Sequence, residues 1–145
     1  MKCLIQRVKR ASVTIDGKIY SQIDKGILAL LGIEKGDTLE QAKFLAEKIL
    51  KLRIFEDENG KMNKSLIDIN GQMLVVSQFT LCGDCKKGTR PSFDKSETPE
   101  LANKLYEEFV TIIKESKTQV FTGKFGAKMD VELINDGPVT FMLEK

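Results

Sequence analysis

Near the C-terminus, two stretches alternate between apolar and polar residues, which is the pattern of half-buried strands. The first runs from residue 127 to 134 and the second from residue 139 to 143. Gly137-Pro138 lies between them. This dipeptide is typical of a turn, because glycine adopts backbone angles closed to other residues and proline has no N–H to donate to a sheet. We therefore predict two strands joined by a turn at Gly137-Pro138.

In the part of the chain before residue 127, alternating or continuous apolar residues predict strands at residues 2–9, 12–15, 18–20, 26–33, 53–55 and 73–81. Asp16-Gly17 is a strong signal for a two-residue hairpin loop. The continuous apolar run from Gly26 to Ile33 is typical of a central strand that is buried on both faces. The apolar run that begins at Met73 becomes polar toward Leu81, so this strand is predicted to end in a polar segment.

Two helices are predicted from apolar residues at helical spacing. Asp37 and Glu40 have the spacing of a capping box, which predicts a helix from that point to about Leu52. Thr98 as cap and Pro99 in the first turn predict the start of the second helix. The predicted buried stripes are Leu39, Ala42, Leu45, Ala46, Ile49 and Leu52 in the first helix, and Leu101, Leu105, Phe109 and Ile112 or Ile113 in the second.

The order of elements is strands, helix, strands, helix, strands, which indicates an α/β protein that is α+β by content. A chain of 145 residues fits one domain, residues 1–145. Both helices are expected to cover one face of the sheet. The other face needs a second sheet or a partner subunit, because one-sided burial would leave apolar surface in water.

Composition adds few constraints. Hydrophobic residues make up 41% of the chain and charged residues 30%, as in soluble globular proteins. The N-terminal residues become charged too soon for a signal peptide, and the longest apolar run is far too short to span a membrane, so we expect a cytoplasmic protein.

The net charge of only +2 provides no global basic field. A polyanion would therefore have to bind a local patch such as Lys86, Lys87 and Arg90, unless these residues are simply a solvated loop.

The chain has no histidine, which excludes the Ser-His-Asp triad, the Cys-His dyad and most zinc enzymes. Cys82 and Cys85 have the spacing of a redox pair or of half a zinc site. No second pair exists, and no histidine can complete a zinc shell. We expect reduced thiols without a ligand.

Ser77-Gln78-Phe79-Thr80 is the first candidate for chemistry, because the end of a strand leaves backbone N–H groups free to polarise a carbonyl. Thr80 could orient a water molecule or bind an ester oxygen. Alternatively, Ser77 and Thr80 only satisfy local backbone groups. The second candidate, Arg90-Pro91-Ser92-Phe93, joins a cation to an aromatic ring and could grip a phosphate and stack on a base, or Phe93 could anchor the loop. The two carbonyls of Gly137-Pro138 form a third candidate.

Taken together, several motifs in this order resemble those of the D-aminoacyl-tRNA deacylases, the D-tyrosyl-tRNA deacylase family, over essentially the whole chain. The motifs are Gln6-Arg7-Val8, Leu52-Arg53-Ile54-Phe55, Gly60-Lys61-Met62, Ser77-Gln78-Phe79-Thr80-Leu81, Arg90-Pro91-Ser92-Phe93, Gly123-Lys124-Phe125-Gly126-Ala127-Lys128-Met129 and Asn135-Asp136-Gly137-Pro138-Val139-Thr140. The Cys82 and Cys85 pair does not belong to this pattern.

The resemblance implies a homodimer of three-layer β/β/α subunits, each with a mixed sheet and two main helices. It implies hydrolysis of the ester that joins a D-amino acid to the 3′-terminal adenosine of tRNA, with no metal and no organic cofactor. Gly137-Pro138 would form a cis peptide that enters the partner subunit's site and leaves no room for an L side chain. A substrate glycine has no side chain, so mischarged glycyl-tRNA is a possible second substrate.

The resemblance also assigns roles to individual residues. Ser77, Gln78, Phe79 and Thr80 would form the floor of the pocket, with the Phe79 and Thr80 N–H groups near the scissile carbonyl. Met129 and Phe125 would wall the pocket, and Arg7 would belong to the substrate-binding set. Either Thr80, as a catalytic residue, or the ribose 2′-hydroxyl of the substrate would drive the reaction, and the lack of any base in the chain fits the 2′-hydroxyl better.

Two alternatives remain open from the sequence. A related editing enzyme would have a trans Gly-Pro bond and would admit a small L-amino acid. A dimer that binds tRNA or another nucleic acid without catalysis is the third possibility.

Overall fold

The computed structural model describes all 145 residues. Eight strands are present: β1 Lys2–Ile15, β2 Lys18–Ile23, β3 Gly26–Gly32, β4 Phe55–Glu56, β5 Met62–Lys64, β6 Gln72–Ser77, β7 Gln119–Thr122 and β8 Asp130–Glu144. The helices are α1 Leu39–Lys51, α2 Pro99–Glu115 and a short 3-10 helix, Phe79–Cys82. None of these helices is both long enough and apolar enough to span a membrane.

Six of the strands form one mixed sheet in the order β2-β1-β3-β6-β7, and β8 pairs with β1. Strand β1 is antiparallel to β2, β3 and β8, whereas β3, β6 and β7 are parallel to one another. The first half of β1 pairs with β3 and its second half with β2. Strand β1 therefore changes its pairing partner from β3 to β2 along its length, and the sheet supplies strands to two layers.

Side chains on the two faces of this sheet belong to two separate apolar clusters. Ile27, Ala29 and Leu31 of β3 are buried against α1 and α2. On the opposite face, Leu28 and the β6 residues Leu74 and Val76 are buried in a second cluster, which includes Val8, Ala11, Val13 and Ile23. Burial of each such leucine or valine contributes about 1.5–3 kcal/mol. The three-layer β/β/α arrangement is thus confirmed, and strands of the same chain cover the face away from the helices.

Helix α1 begins one residue later than predicted, with a different cap. Thr38 is the N-cap residue, and its capping box is completed by Gln41 rather than by Glu40. Asp37 instead accepts a hydrogen bond from the backbone N–H of Glu34, with the two atoms 2.6 Å apart. The prediction of an Asp37–Glu40 box was wrong because Asp37 is used by the turn before the helix.

The buried stripes of both helices are largely as predicted, but their first residues are not buried. Leu39 is 50% exposed and Leu101 is 53% exposed, each in the first turn of its helix. The core of α2 is completed by Tyr106 and Val110, which the predicted stripe omitted. Helix α2 does begin at Pro99 with Thr98 as N-cap, although the Thr98 side chain makes no capping hydrogen bond.

Strand β6 ends at Ser77, not at Leu81 as predicted. The chain turns at Gln78 into the 3-10 helix Phe79–Cys82. Strand β7 was not predicted, because a four-residue strand with one half-buried face has almost no periodicity to detect. The hairpin at Asp16-Gly17 is confirmed, with φ values of 50° and 73° that suit the two central residues of such a loop.

The predicted turn between two C-terminal strands was wrong. Strand β8 is continuous from Asp130 to Glu144, and it pairs with β1 both before and after Gly137-Pro138. The proline interrupts the ladder without reversing the chain.

Candidate active site

A largely apolar cavity of about 310 Å³ lies where β3 and β6 end. Ser77, the last residue of β6, is paired with Leu31 of β3, and the Gln78 N–H donates to the Leu31 carbonyl oxygen at 2.7 Å. The cavity is lined by Leu31, Ile33, Ser77, Gln78, Phe79, Ser96, Glu97, Pro99, Ala102, Phe125 and Gly126. Its volume is at the lower end of the range for small-molecule sites.

Two backbone donors are free next to this cavity, one on Phe79, which lines it, and one on Thr80, which follows Phe79 and does not line it. The Phe79 and Thr80 N–H groups donate no hydrogen bond within the chain, whereas the next N–H, that of Leu81, donates to the Gln78 carbonyl oxygen at 3.2 Å. This is expected from the geometry of a 3-10 helix, whose first N–H groups have no acceptor in the preceding turn. The change from strand to 3-10 helix thus leaves adjacent N–H groups available to an oxygen atom of a ligand.

The Thr80 hydroxyl is held by its neighbour Gln78, whose side-chain amide donates to it. No histidine exists to remove its proton. The carboxylate among the residues that line the cavity, that of Glu97, accepts the backbone N–H of Thr98 at 2.7 Å. Thr80 therefore lies on the exposed 3-10 helix beside the cavity, does not line it, and has no general base bound to its hydroxyl.

The two residues predicted to wall the pocket are separated by the structure. Phe125 lines the cavity, and its ring packs against that of Tyr106 with centroids 5.9 Å apart. The Tyr106 hydroxyl donates to the Val75 carbonyl oxygen at 2.8 Å, and burial raises the pKa of this tyrosine. Met129 does not line the cavity. It packs against the second apolar cluster and lies beside Gly123.

Several lining residues were not singled out by the sequence analysis. Ile33, Ser96 and Glu97 meet there because residues 95–97 bond to the segment that follows β3: Glu34 and Ser96 form an isolated β-bridge, and the Glu97 N–H donates to the Ile33 carbonyl oxygen at 3.1 Å. These contacts join residues about sixty positions apart in the sequence, so no local sequence pattern predicts them.

The second candidate region is a large bulge in β8. A single residue of β1, Arg7, lies opposite the four residues Asp136–Val139, because Gln6 pairs with Thr140 and Val8 pairs with Asn135. Gly137 and Pro138 are exposed at the tip of this bulge. The peptide bond between them is cis, which is the isomer that the resemblance implies for the D-specific type.

Two side chains hold the base of the bulge. Arg7 is only 5% exposed, and its guanidinium donates to the carbonyl oxygens of Asp136 at 2.8 Å and Ile54 at 2.7 Å. The Asn135 amide donates to the carbonyl oxygens of Arg7 at 3.2 Å and Val139 at 3.0 Å. Arg7 is thus a support for the exposed dipeptide and is itself almost inaccessible.

Within one chain, these two regions are far apart. Across the sheet, Ser77 of β6 pairs with Leu31, Leu31 pairs with Cys3, and Cys3 pairs with Leu143 of β8. Leu143 is therefore three strands away from Ser77, and it is five residues beyond Pro138 in the sequence. Strand spacing and residue rise place the cavity and the bulge on the order of 20 Å apart. No residue of β8 lines the cavity. The chain does not bring its own Gly137-Pro138 to its own Phe79 and Thr80.

The cysteines take no part in either region. All three are free thiols, with Cys3 and Cys82 buried and Cys85 exposed. Burial raises the pKa of Cys3 to about 12 and also raises the pKa of Cys82. The structure contains no group of three or more His, Cys, Asp or Glu side chains placed to hold a metal ion.

Comparison with known proteins identifies relatives of nearly equal length. Residues 4–144 match the protein family described as D-Tyr-tRNA(Tyr) deacylase. The D-aminoacyl-tRNA deacylase of Thermosipho africanus (strain TCF52B) is 58% identical over 144 residues, covering 99% of this chain and 97% of that protein. The protein of the same name from Clostridium acetobutylicum is 54% identical, with the same coverage.

Two solved structures share the fold. The c-Myc DNA Unwinding Element Binding Protein superposes with a TM-score of 0.94 at 44% identity, covering 100% of this chain and 99% of that chain. A probable eukaryotic D-amino acid tRNA deacylase superposes with a TM-score of 0.81 over 98% of this chain and 97% of that chain. Its identity of 17% supports the likeness of the fold alone.

Proposed function

The chain belongs to the D-Tyr-tRNA(Tyr) deacylase family, and on that premise we propose that it hydrolyses the ester bond of D-aminoacyl-tRNA at a site shared by two copies of the chain. Water is consumed, the bond between the acyl carbon and the ribose oxygen breaks, and the products are a free D-amino acid and tRNA with an intact 3′ end. The observation that carries the proposal is the pair of free N–H groups, Phe79 and Thr80, beside an apolar cavity.

These N–H groups are suited to the negative charge that develops during ester hydrolysis. When water adds to the ester carbonyl, its oxygen becomes an oxyanion, and preorganised backbone donors stabilise that charge more strongly than they bind the neutral ester. Removal of one such donor typically costs a factor of about 10² to 10³ in rate. Such hydrogen bonds are stronger where water is excluded, as it would be once the substrate covers Phe79 and Thr80.

The chain offers no side chain suited to activating the attack, so we assign that role to the ribose 2′-hydroxyl of the substrate. The Thr80 hydroxyl already accepts from Gln78, and no histidine is available to it as a base. A hydroxyl without a base is a weak nucleophile near neutral pH. Every substrate molecule carries this 2′-hydroxyl next to its scissile ester bond. The protein therefore spends no free energy on bringing the hydroxyl to the reacting carbonyl.

Replacing Thr80 with valine is expected to lower kcat by less than about tenfold, because valine keeps the shape of the side chain and the backbone N–H. A substrate whose terminal adenosine lacks the 2′-hydroxyl is expected to lose about 10³-fold or more. Single-turnover release of D-tyrosine measures both effects. If the valine variant lost as much as the deoxy substrate, Thr80 would be the nucleophile and this assignment would be wrong.

The Gly137-Pro138 bulge of a second copy is proposed to complete the site and to select the D-enantiomer. The bulge is exposed and is on the order of 20 Å from the cavity of its own chain, which supports the proposal that another copy supplies it. Exposed apolar side chains of the same strand, Ile134, Phe141 and Met142, provide the kind of surface that a partner subunit covers.

Selection by such a bulge works through exclusion. Its carbonyl oxygens would face the α-amino group of the substrate and occupy the space into which an L side chain projects. A D side chain points away from the bulge. Glycine has no side chain to exclude, so we propose mischarged glycyl-tRNA as a second substrate.

The direct test is hydrolysis of D-tyrosyl-tRNA and L-tyrosyl-tRNA side by side, with a chelator present, together with the molar mass from light scattering. We expect rapid release of D-tyrosine alone by a dimer. Release of both enantiomers would contradict the proposed filter. Release of neither, by a folded dimer that still binds tRNA, would favour a non-catalytic binding protein.

A further inference from the structure

The loop of residues 84–95 is an exposed basic segment next to the proposed ester site. Asp84, at its start, is joined to Ser92 by two backbone hydrogen bonds, with N···O distances of 2.8 and 3.0 Å. The Lys35 N–H donates to the Lys95 carbonyl oxygen at 2.9 Å. The loop is thus anchored at its base, next to Ser96, which lines the cavity.

The cations of this loop form no salt bridge. Lys86, Lys87, Arg90 and Lys95 are all exposed, and none takes part in the ion pairs of the structure. Four positive charges are therefore concentrated on one loop of a chain whose net charge is only +2.

The carboxylates of the same loop accept hydrogen bonds from the loop's own backbone and hydroxyl groups. Asp84 accepts the Lys86 N–H at 2.9 Å, and Asp94 accepts the Ser92 hydroxyl at 2.8 Å. The pKa of Asp84 is lowered chiefly by the hydrogen bond from the Lys86 N–H, and the charges of Lys86 and Lys95 add to this effect. These carboxylates stabilise the loop and leave its cations free for an external anion.

An aromatic pair connects the basic loop to the ester site. The Phe79 and Phe93 rings meet edge to face with centroids 5.0 Å apart, and they remain 60% and 38% exposed, respectively. Phe79 also lines the cavity. Exposed aromatic rings beside cations are the usual platform for single-stranded nucleic acid, because bases stack on the rings while phosphates contact the cations.

We propose that the 84–95 loop and the Phe79–Phe93 pair dock the unpaired nucleotides immediately before the terminal adenosine of the tRNA substrate. This inference rests on the proposed function, which places the terminal ester at Phe79 and Thr80. The preceding nucleotides leave the cavity past Phe93, where a base stacks on the ring. Their phosphates lie over Lys86, Lys87 and Arg90.

The geometry favours RNA that is single-stranded at this point. The platform is one loop with two rings, so it can contact only a few nucleotides, and bases paired within a helix cannot stack on the rings. Arg90 and Phe93 therefore bind the nucleotides, whereas the chemistry takes place at the Phe79 and Thr80 N–H groups.

The charge variant Lys86→Gln, Lys87→Gln, Arg90→Gln tests the phosphate contacts. We expect kcat/KM for D-tyrosyl-tRNA to fall roughly tenfold at physiological salt, mainly through a rise in KM. The slope of log KM against log salt concentration should decrease by about two, because three phosphate contacts are lost. The matched control is Lys43→Gln, Lys48→Gln, Lys51→Gln, which removes three exposed cations from α1. This control should change kcat/KM less than twofold.

Phe93→Leu tests the stacking contact, because leucine keeps the apolar packing against Phe79 but has no aromatic face. We expect a rise in KM of roughly tenfold with the salt dependence unchanged. On D-tyrosyl-adenosine, which carries no phosphate and no preceding base, both altered proteins should lose far less than on tRNA.

A binding measurement separates failure of this inference from failure of the proposed function. Fluorescence anisotropy with uncharged tRNA, with and without its unpaired 3′ nucleotides, should show that the loop variants weaken binding only when those nucleotides are present. Equal affinity of the loop variants and the unaltered protein for intact tRNA would overturn the inference even if hydrolysis is normal. Absence of hydrolysis by the unaltered protein would overturn the proposed function, and the binding result would then decide the inference alone.

Discussion

Replacing Arg7 with alanine is expected to lower the free energy of unfolding by about 3–5 kcal/mol and to abolish hydrolysis of D-tyrosyl-tRNA. The guanidinium is almost wholly buried, donates to the Ile54 and Asp136 carbonyl oxygens, and lies 3.3 Å from the Asp136 carboxylate. Alanine would leave these groups without their partner, and an unsatisfied buried group costs more than its hydrogen bond had contributed. The bulge that carries Gly137-Pro138 would lose its support.

Arg10→Ala is the matched control, because Arg10 lies on the same strand but is exposed. Its ion pair with Glu132 has an N···O distance of 3.3 Å, and the two side chains are 62% and 72% exposed. Exposed pairs of this kind contribute at most about 1 kcal/mol. Urea unfolding and D-tyrosyl-tRNA hydrolysis should therefore be nearly normal for this variant. Comparable losses for Arg7→Ala and Arg10→Ala would contradict the supporting role assigned to Arg7.

Replacing Gly137 with alanine is expected to lower kcat/KM for D-tyrosyl-tRNA by about 100-fold while the protein remains folded. A Cβ atom at this position would lie 2.0 Å from the Asn135 side-chain oxygen, which is closer than any real contact. The Asn135 side chain would have to move, and its hydrogen bonds to the Arg7 and Val139 carbonyl oxygens would break. A displacement of about 1 Å in a group that positions the substrate can cost about 10²-fold in rate.

Gly17→Ala controls for stability alone. Gly17 has a φ of 73° in the hairpin turn, and no atom lies near its added Cβ. Alanine there is strained by the backbone angle and should destabilise the protein by about 1 kcal/mol without an effect on hydrolysis. Thermal unfolding and initial rates should be measured on both variants. Normal hydrolysis by Gly137→Ala would show that the geometry of the bulge does not matter to the reaction.

The contrast between α1 and β8 shows where sequence patterns are sufficient. The apolar residues of α1 recur at helical spacing, and Ala42, Leu45, Ala46 and Ile49 are buried as that spacing predicts. At Gly137-Pro138 the same kind of reasoning predicted a turn, because proline interrupts a ladder. It did not predict that β8 resumes its pairing with β1 at Thr140, since that depends on a partner strand more than a hundred residues away.

The candidate site likewise has one part that the sequence predicted and one part that only the fold decides. The polar segment that begins at the end of β6 was visible in the sequence, and it contains Ser77, Gln78, Phe79 and Thr80. The two free N–H groups depend on the 3-10 helix that follows Ser77, which the predicted strand to Leu81 did not include. Ser96 and Glu97 reach the cavity through bonds to the segment after β3, so their place is a property of the fold.

By itself, the sequence determined the class of fold, both helices, most of the strands and the motifs of the family, because periodicity, turn chemistry and motif order are properties of neighbouring residues. Only the tertiary structure decided that β8 bulges without turning and that a buried Arg7 supports the bulge. It also decided that the bulge is far from the cavity of its own chain. These features depend on strand register and on contacts between distant residues, which are settled when apolar faces pack and buried polar groups find their partners.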